Sequence, residues 1–438
     1  MKKHYVSDLR ERLNGDENVT LYGWIKAKRR HGNLLFLDVA DSTGSIQVTF
    51  ERGKCQEITF ETAKTLTNES SVKVQGQLRM HGQQREISAY CLDVINKASI
   101  DVTPHVRDSI DIFDPALQEQ LLSNRHFYLR NERVMAIMKF RHMLMGCVHH
   151  WFRAQGFIEI TAPVLTPISL YDDRSAIALH VDNQDIFLTQ CVGFYLEWAV
   201  HAFERVYNIG PSFRGEESHS KRHLMEYWHI KAETAFADFE DVVTQVESLI
   251  SHVTQMCCER AGDLAATIGN PICCDGSKPP YPRILYSEAV EQLQRAGAEF
   301  EFGKSLGSDE EELLAKEFHQ PFWIVGIPRS IEPFPYVIDQ ADNRVTRTAD
   351  LIATNGFGEL LGVAEKIHDL SMLDVRLEEK GKAGNPKYEW MRDLRKFGCV
   401  PHVGFGLGVE RFIRWLTGIP HVRDTIPYPR TFRRRIFP

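Results

Sequence analysis

The stretch from Phe213 to Phe236, FRGEESHSKRHLMEYWHIKAETAF, constrains the fold of this chain more than any other, because it reads as strand, polar loop, strand. Arg214 and Glu216 close the first strand, Ser218 to Arg222 are small or polar, and Glu226 to Phe236 resume an aromatic and apolar run. Such a hairpin can grip a nucleotide. An arginine fork is planar, permanently charged and bidentate toward phosphate oxygens, and an aromatic ring nearby can lie against a purine. A solvated hairpin edge is the competing reading, since exposed charge is the common case.

At 438 residues the chain exceeds one ordinary core, so two or three domains are expected. Hydrophobic content of 43% and charged content of 25% fit a water-soluble globular protein. No run approaches the roughly 20 apolar residues of a membrane helix, and MKKHYVSDLRERL has no apolar signal segment. A cytoplasmic enzyme without a membrane partner is the expectation. The net charge of −7 argues against general coating of nucleic acid, although residues 1–105 carry 15 Lys and Arg against 13 Asp and Glu and are the better place for a polyanion. Nine cysteines, including the adjacent pairs Cys257, Cys258 and Cys273, Cys274, suggest neither a disulfide framework nor zinc, and buried reduced thiols are expected.

Residues 18 to about 100 alternate in strand fashion, with turns at His31 to Asn33 and Asp41 to Gly44 and a helical stretch near Cys55 to Leu66. Five short strands and one inserted helix predict an all-β oligonucleotide-binding (OB-fold) barrel over 1–102. There Arg29, Phe36 and Gln47 have the chemistry to clamp a backbone, stack on a base and read a base edge; core packing is the alternative for Phe36. Residues 103–130 read as a linker and 131–438 as a second domain. Its first element is a long helix striped by Val134, Ile137, Met138, Leu144, Val148, Trp151 and Phe152, followed by the strand FIEIT. The acidic run Asp309 to Glu312 reads as a solvated helix start. DLIATNGFGELLG places Asp350 and Glu359 across a glycine turn, where two carboxylates could hold Mg²⁺ against phosphates. VGFGLGVERFIRWLTGI joins a glycine-rich strand to a helix carrying Arg411 near its start.

With GFIEITAPVL, FRGEES…RHLMEYW and GFGLGVERFIRWLTGIPHVRDTIPYPR in this order, the chain resembles class II aminoacyl-tRNA synthetases of the aspartyl and asparaginyl subgroup over nearly its whole length. The resemblance implies an α+β fold, with an antiparallel six- or seven-stranded catalytic sheet and flanking helices behind an anticodon-binding barrel. It also implies a homodimer, with GFIEITAPVL in the dimer interface. It implies that Arg214 holds the α-phosphate and the reacting carboxylate, Glu216 the adenine amino group, Arg222 or His223 the γ-phosphate, and Tyr227 and Arg411 the two adenine faces. Asp350 and Glu359 match the Mg²⁺ carboxylates, and Arg29, Phe36 and Gln47 fall where the family contacts tRNA.

The departures gather in the amino-acid pocket. Where the family has an acid in a loop, a glutamine and an acid on the second hairpin strand, this chain has Arg174, Gly193 and Lys231; Cys191, after Gln190, replaces a serine, and Lys366 replaces an arginine that reads the substrate side chain. Slippage at Arg174 and a lysine that merely pairs with Glu233 are the alternatives. Like charges 4 Å apart cost about 4 kcal/mol at an effective dielectric of 20, so an α-ammonium beside Lys231 should be repelled. The favoured expectation is therefore a paralogue that adenylates a carboxylic acid lacking a free α-ammonium and passes it to an amine or tRNA. A genuine asparaginyl- or aspartyl-tRNA synthetase is the alternative, and a non-catalytic tRNA-binding or regulatory module the third reading.

Overall fold

A computed structural model describes residues 4–11, 17–100, 109–169, 175–218 and 220–436. Arg174 lies outside the described residues, as do most of the expected linker residues before Ser109. The chain divides into Met1–Asp111 and Ile112–Pro438.

The first unit is a closed barrel of β1 (Asn18–His31), β2 (Leu34–Asp41), β3 (Gly44–Glu51), β4 (Ser71–His81) and β5 (Gln84–Asn96), in the order β1-β2-β3-β5-β4. Helix Glu57–Thr65 sits between β3 and β4, as the sequence predicts. Alternation works here as it must in a small barrel: Val19, Leu21, Ile25, Leu35, Leu37, Val48 and Phe50 point into one core while their neighbours face outward.

In the second unit, residues 115–128 are not linker. They contain helices Gln118–Ser123 and Arg125–Tyr128, and the buried Arg125 guanidinium donates to the carbonyls of Ile426 and Pro427 at 3.0 and 2.9 Å. The polar, period-free sequence concealed this because the contact spans three hundred residues. Helix Glu132–Ala154 follows, capped by Asn131, whose side chain accepts from the backbone N–H groups of Arg133 and Val134. FIEIT contributes only β6 (Ile158–Glu159).

A three-stranded sheet of β7 (Leu165–Thr166), β8 (Ala178–Val181) and β9 (Gln184–Leu188) comes next. The main sheet uses β10 (Arg205–Phe213), β11 (Glu226–Ala235), β12 (Arg283–Leu285), β13 (Phe322–Val325), β14 (Thr348–Ala353), β15 (Gly358–Lys366) and β16 (His402–Gly408), in the order β12-β13-β14-β15-β16-β11-β10-β6. It has eight strands, where six or seven were expected; the short β6 and β12 extend its edges through parallel pairs, and the interior is antiparallel. Helices Phe239–Arg260 and Val409–Thr417 pack on it, the first opened by a capping box between Asp238 and Asp241 and the second stopped by Gly418 at φ 65°.

The expectation of reduced thiols fails at one place. Cys258, near the end of helix Phe239–Arg260, is disulfide-bonded to Cys274 across 16 residues, while its neighbour Cys257 stays free and buried, its thiol pushed up to about 12 by burial. Spacing alone cannot reveal which of two adjacent cysteines faces a loop that returns from elsewhere. Among the described residues no helix is long and apolar enough to cross a membrane.

Candidate functional site

The central strands build the site by a simple rule of register. On β11, Tyr227, His229, Lys231 and Glu233 share one face, while Ile230 and Ala232 are buried on the other. Across from them, β16 places Gly408 opposite His229, Gly406 opposite Lys231 and Gly404 opposite Glu233. From Gly404 onward every second residue of HVGFGLG lacks a side chain, so the polar groups of β11 lie down over its backbone. A β-carbon at Gly404 would come within 2.2 Å of a Glu233 oxygen. The result is a deep cavity floored by β11, β16 and β15, and lined by Arg214, Arg222, His223, Tyr227, Lys231, Glu332, Tyr336, Asp350, Glu359, Lys366 and Arg411 among others.

One end is built of phosphate-compatible groups. Arg214 closes the hairpin through a backbone hydrogen bond to Met225 at 2.9 Å and stands 3.9 Å from Glu216. Arg411, in the first turn of helix Val409–Thr417, donates from Nη1 to the carboxylate and the carbonyl of Glu359 at 3.0 and 3.1 Å. His223 lies 3.5 Å from Arg411 and bonds Ser218 Oγ at 2.9 Å. Burial and the surrounding Arg411, Arg222 and Arg214 push its imidazole down to about 4, so the ring is neutral in the ligand-free site and has a nitrogen to offer a phosphate as a hydrogen-bonding group. Arg222 is ion-paired to Glu311, which also accepts from the Glu359 backbone N–H at 2.8 Å. Glu311 is the correction here: it belongs to the acidic run read as solvated, yet it is only 4% exposed.

Asp350 and Glu359 come from adjacent antiparallel strands, β14 and β15. Burial would raise both, but they part: Arg411 holds Glu359 below the ordinary range, while burial and the neighbouring Glu359, Glu332 and Glu311 push Asp350 well above it. Asp350 has no ion-pair partner among the described residues. Two hard oxygen donors, one of them an uncompensated buried carboxylate, fit a divalent cation such as Mg²⁺.

The other end holds the expected acid-binding residues. Gly193 starts helix Gly193–Phe203 and lines the cavity. Lys366 sits 3.7 Å from Glu197, 3.8 Å from Glu233 and 4.8 Å from the ring centre of Tyr336. Burial works against its ammonium, but Tyr336, Glu233 and Glu197 together hold it protonated. Glu197 is anchored in turn by Arg395 at 3.0 Å. Lys231 therefore does not pair with Glu233 at ion-pair distance; burial, and the like charge of Lys366, lower its affinity for a proton. Gln190 and Cys191 are buried beside the cavity, Gln190 donating to Ser175 Oγ at 2.8 Å.

Glu332, Tyr336, Glu197 and Arg395 carried no sequence signal. Each lies in an irregular or helical segment whose partner is distant in the chain. Glu410 was also missed: it accepts from the Trp228 N–H at 3.0 Å and meets Arg141 at 2.7 Å, tying the Arg411 helix to β11.

On the barrel, Arg29 lies over Phe36 at 5.2 Å and donates to Gln47, and Gln47 donates to Glu86 at 2.6 Å. β1, β2 and β3 thus bring the three expected residues into one outward patch. Phe36 is half-buried and outside the barrel core.

Residues 117–432 match the family model of class II tRNA synthetases (D, K and N), and residues 19–95 match that of the OB-fold nucleic acid binding domain. The chain is 36% identical to the asparagine–tRNA ligase of Pyrococcus abyssi over the full length of both, and 36% identical to that of Desulforamulus reducens over 96% of each. The crystal structure of Pyrococcus horikoshii asparaginyl-tRNA synthetase complexed with asparaginyl-adenylate superposes with a TM-score of 0.93 at 34% identity, covering 99% of both chains. ATP and Mg²⁺ are the co-substrate and metal of this family, and the arginines and paired carboxylates described above suit both. The chain belongs to the class II tRNA synthetases of the D, K and N group, ATP-dependent ligases, and carries their OB-fold domain at its amino-terminal side.

Proposed function

We propose that this protein activates a carboxylic acid as its adenylate and transfers the acyl group to tRNA, with asparagine as the acid and the barrel holding the anticodon. The observation that carries this reading is the convergence of Arg214, Arg411, Asp350 and Glu359 on one cavity, in a chain alike to asparagine–tRNA ligases from end to end. A carboxylate oxygen attacks the α-phosphorus of ATP in line, and pyrophosphate leaves. Arg214 neutralises charge growing on the α-phosphate, Arg411 and Tyr227 hold the base, and neutral His223 donates toward the terminal phosphate. Asp350 and Glu359 would hold Mg²⁺, which would supply further compensation for the phosphate charge. No general base is needed, because the nucleophile is already an anion. A homodimer and a cytoplasmic location accompany the reading. Charging of total tRNA with asparagine tests it; no charging at saturating asparagine would refute it.

A second reading is favoured by Lys231. Its ammonium lines the acid end of the cavity with no partner among the described residues, where a substrate α-ammonium would be repelled. On this reading the carbon next to the reacting carboxyl carries no free ammonium. Pyrophosphate exchange supported by dicarboxylates or acylated amino acids but not by asparagine would establish it, and exchange driven well by asparagine would refute it.

A further inference from the structure

The charged side chains on the cavity wall divide into those held in an ion pair within the protein and those that are not, Glu332 among the latter keeping only a hydrogen bond with Thr348. Arg222 is held by Glu311, Arg411 by Glu359, Lys366 by Glu197 and Glu233, and Glu410 by Arg141, while Arg214 stands near Glu216. Among the described residues three have no ion-pair partner: Asp350, Lys231 and Glu332. Asp350 stands beside Glu359 and suits the metal. A lysine and a glutamate remain, and they form no ion pair with each other.

Both are built into rigid structure. Lys231 is fixed by β11 and lies over Gly406, which has no side chain to push it away. Glu332 follows β13 in a segment clamped by Arg376, whose Nη2 donates to the carbonyls of Arg329, Glu332 and Pro333 at 3.3, 3.3 and 3.1 Å. Its carboxyl lines the main cavity and also a smaller one shared with Asp350 and Glu359. When a ligand displaces water from these two side chains, each charge loses its solvation, and only a ligand of opposite charge at that point restores the balance.

We propose that, on the second reading above, the acid is an amino-dicarboxylic acid, whose second carboxylate is received by Lys231 and whose ammonium is received by Glu332. This rests on the adenylation chemistry proposed above and narrows the second reading. If the carbon beside the reacting carboxyl bears no ammonium, and the ammonium is nevertheless bound, then the carboxyl that reacts is the one farther from it. An oxygen of that distal carboxylate forms a bond to the α-phosphorus of ATP, the bond from that phosphorus to the bridging oxygen breaks, and pyrophosphate leaves with the electron pair. The product is a distal acyl adenylate, from which an amine can displace AMP.

The full-length protein with Mg²⁺ and ATP is assayed for pyrophosphate exchange with aspartate, glutamate, asparagine and succinate, and the adenylate is trapped with hydroxylamine. Aspartate or glutamate should exceed both asparagine and succinate by about tenfold or more, and the trapped hydroxamate should sit on the distal carboxyl. Lys231→Gln should raise the KM for that acid about 100-fold with the KM for ATP unchanged, which also shows that the variant is folded. Glu332→Gln should erase the preference over succinate. Exchange driven best by asparagine, an α-hydroxamate, or a Glu332→Gln variant altered only in its Mg²⁺ requirement would each overturn the proposal while leaving adenylation intact. Absence of exchange with every acid would overturn adenylation itself.

Discussion

Gly406 and Lys231 are direct partners across β16 and β11, and a β-carbon on Gly406 would fall 2.4 Å from the lysine Nζ and 2.7 Å from His229 Nε2. The glycine-rich strand is thus a floor made to the shape of the side chains above it. Gly406→Ala should shift both side chains toward the cavity, lowering acid-dependent pyrophosphate exchange about 100-fold and stability by about 1–3 kcal/mol. Exchange kinetics and urea unfolding measure the two effects. Exchange kept within threefold of wild type would show that the floor has room to spare.

Arg222 and Glu311 form a buried pair spanning 89 residues, and Glu311 also accepts the Glu359 N–H. Removing one partner strands the other charge in a poorly solvated place. Glu311→Ala should cost about 3 kcal/mol in urea unfolding, and Glu311→Gln, which keeps an acceptor for the N–H, should cost less. Equal losses would mean that the charge is not what matters.

The carboxylates near the metal position conflict with each other in the protein without metal. Burial and three acidic neighbours disfavour the Asp350 anion, so Asp350→Asn should stabilise the metal-free protein by about 1–3 kcal/mol while reducing exchange about a thousandfold. Mg²⁺ should raise the melting temperature of the wild type and leave that of the variant unchanged. Parallel loss of stability and activity would contradict the arrangement.

His223 gives a pH dependence with a definite sign. Its folded value is about 4 against an ordinary 6.5, so the unfolded chain binds a proton in that window and the folded site does not. The stability linked to the neutral ring is fully present above about pH 6.5 and drains away as pH falls toward 4, by up to about 3 kcal/mol. The difference in unfolding free energy between wild type and His223→Gln should therefore move in favour of the variant between pH 7.5 and 4.5. A constant difference across that range would refute the neutral assignment.

These cases show which features a sequence carries and which it hides. β10 and β11, the glycine strand and the acids of β14 and β15 were legible because each is a local pattern. Glu311 was misread because an acidic run at a helix start is ordinarily solvated, and nothing local marks the one acid that turns inward to Arg222. Glu332 had no pattern at all. Residues 112–130 and the Cys258–Cys274 bond were missed for the same reason: their partners come from elsewhere in the chain. Long-range pairs decide the charge balance of the cavity, and the acid it accepts depends on that balance.

The barrel offers a test independent of the cavity. Arg29 lies over Phe36 and reaches Gln47, which in turn holds Glu86, so the exposed patch is one connected set and not three isolated contacts. Its arginine is the only cation of the set and Phe36 its only stacking surface. If the patch grips an anticodon, Arg29→Ala should weaken tRNA binding about 10- to 100-fold and reduce the slope of log affinity against log salt by about one. Phe36→Ala should weaken binding by about 1–3 kcal/mol without altering that slope, since stacking releases no counterions. Neither change should touch pyrophosphate exchange, which needs no tRNA in the reaction described above. Filter binding across a salt series separates the two roles, and unaltered affinity in both variants would place tRNA elsewhere on the protein.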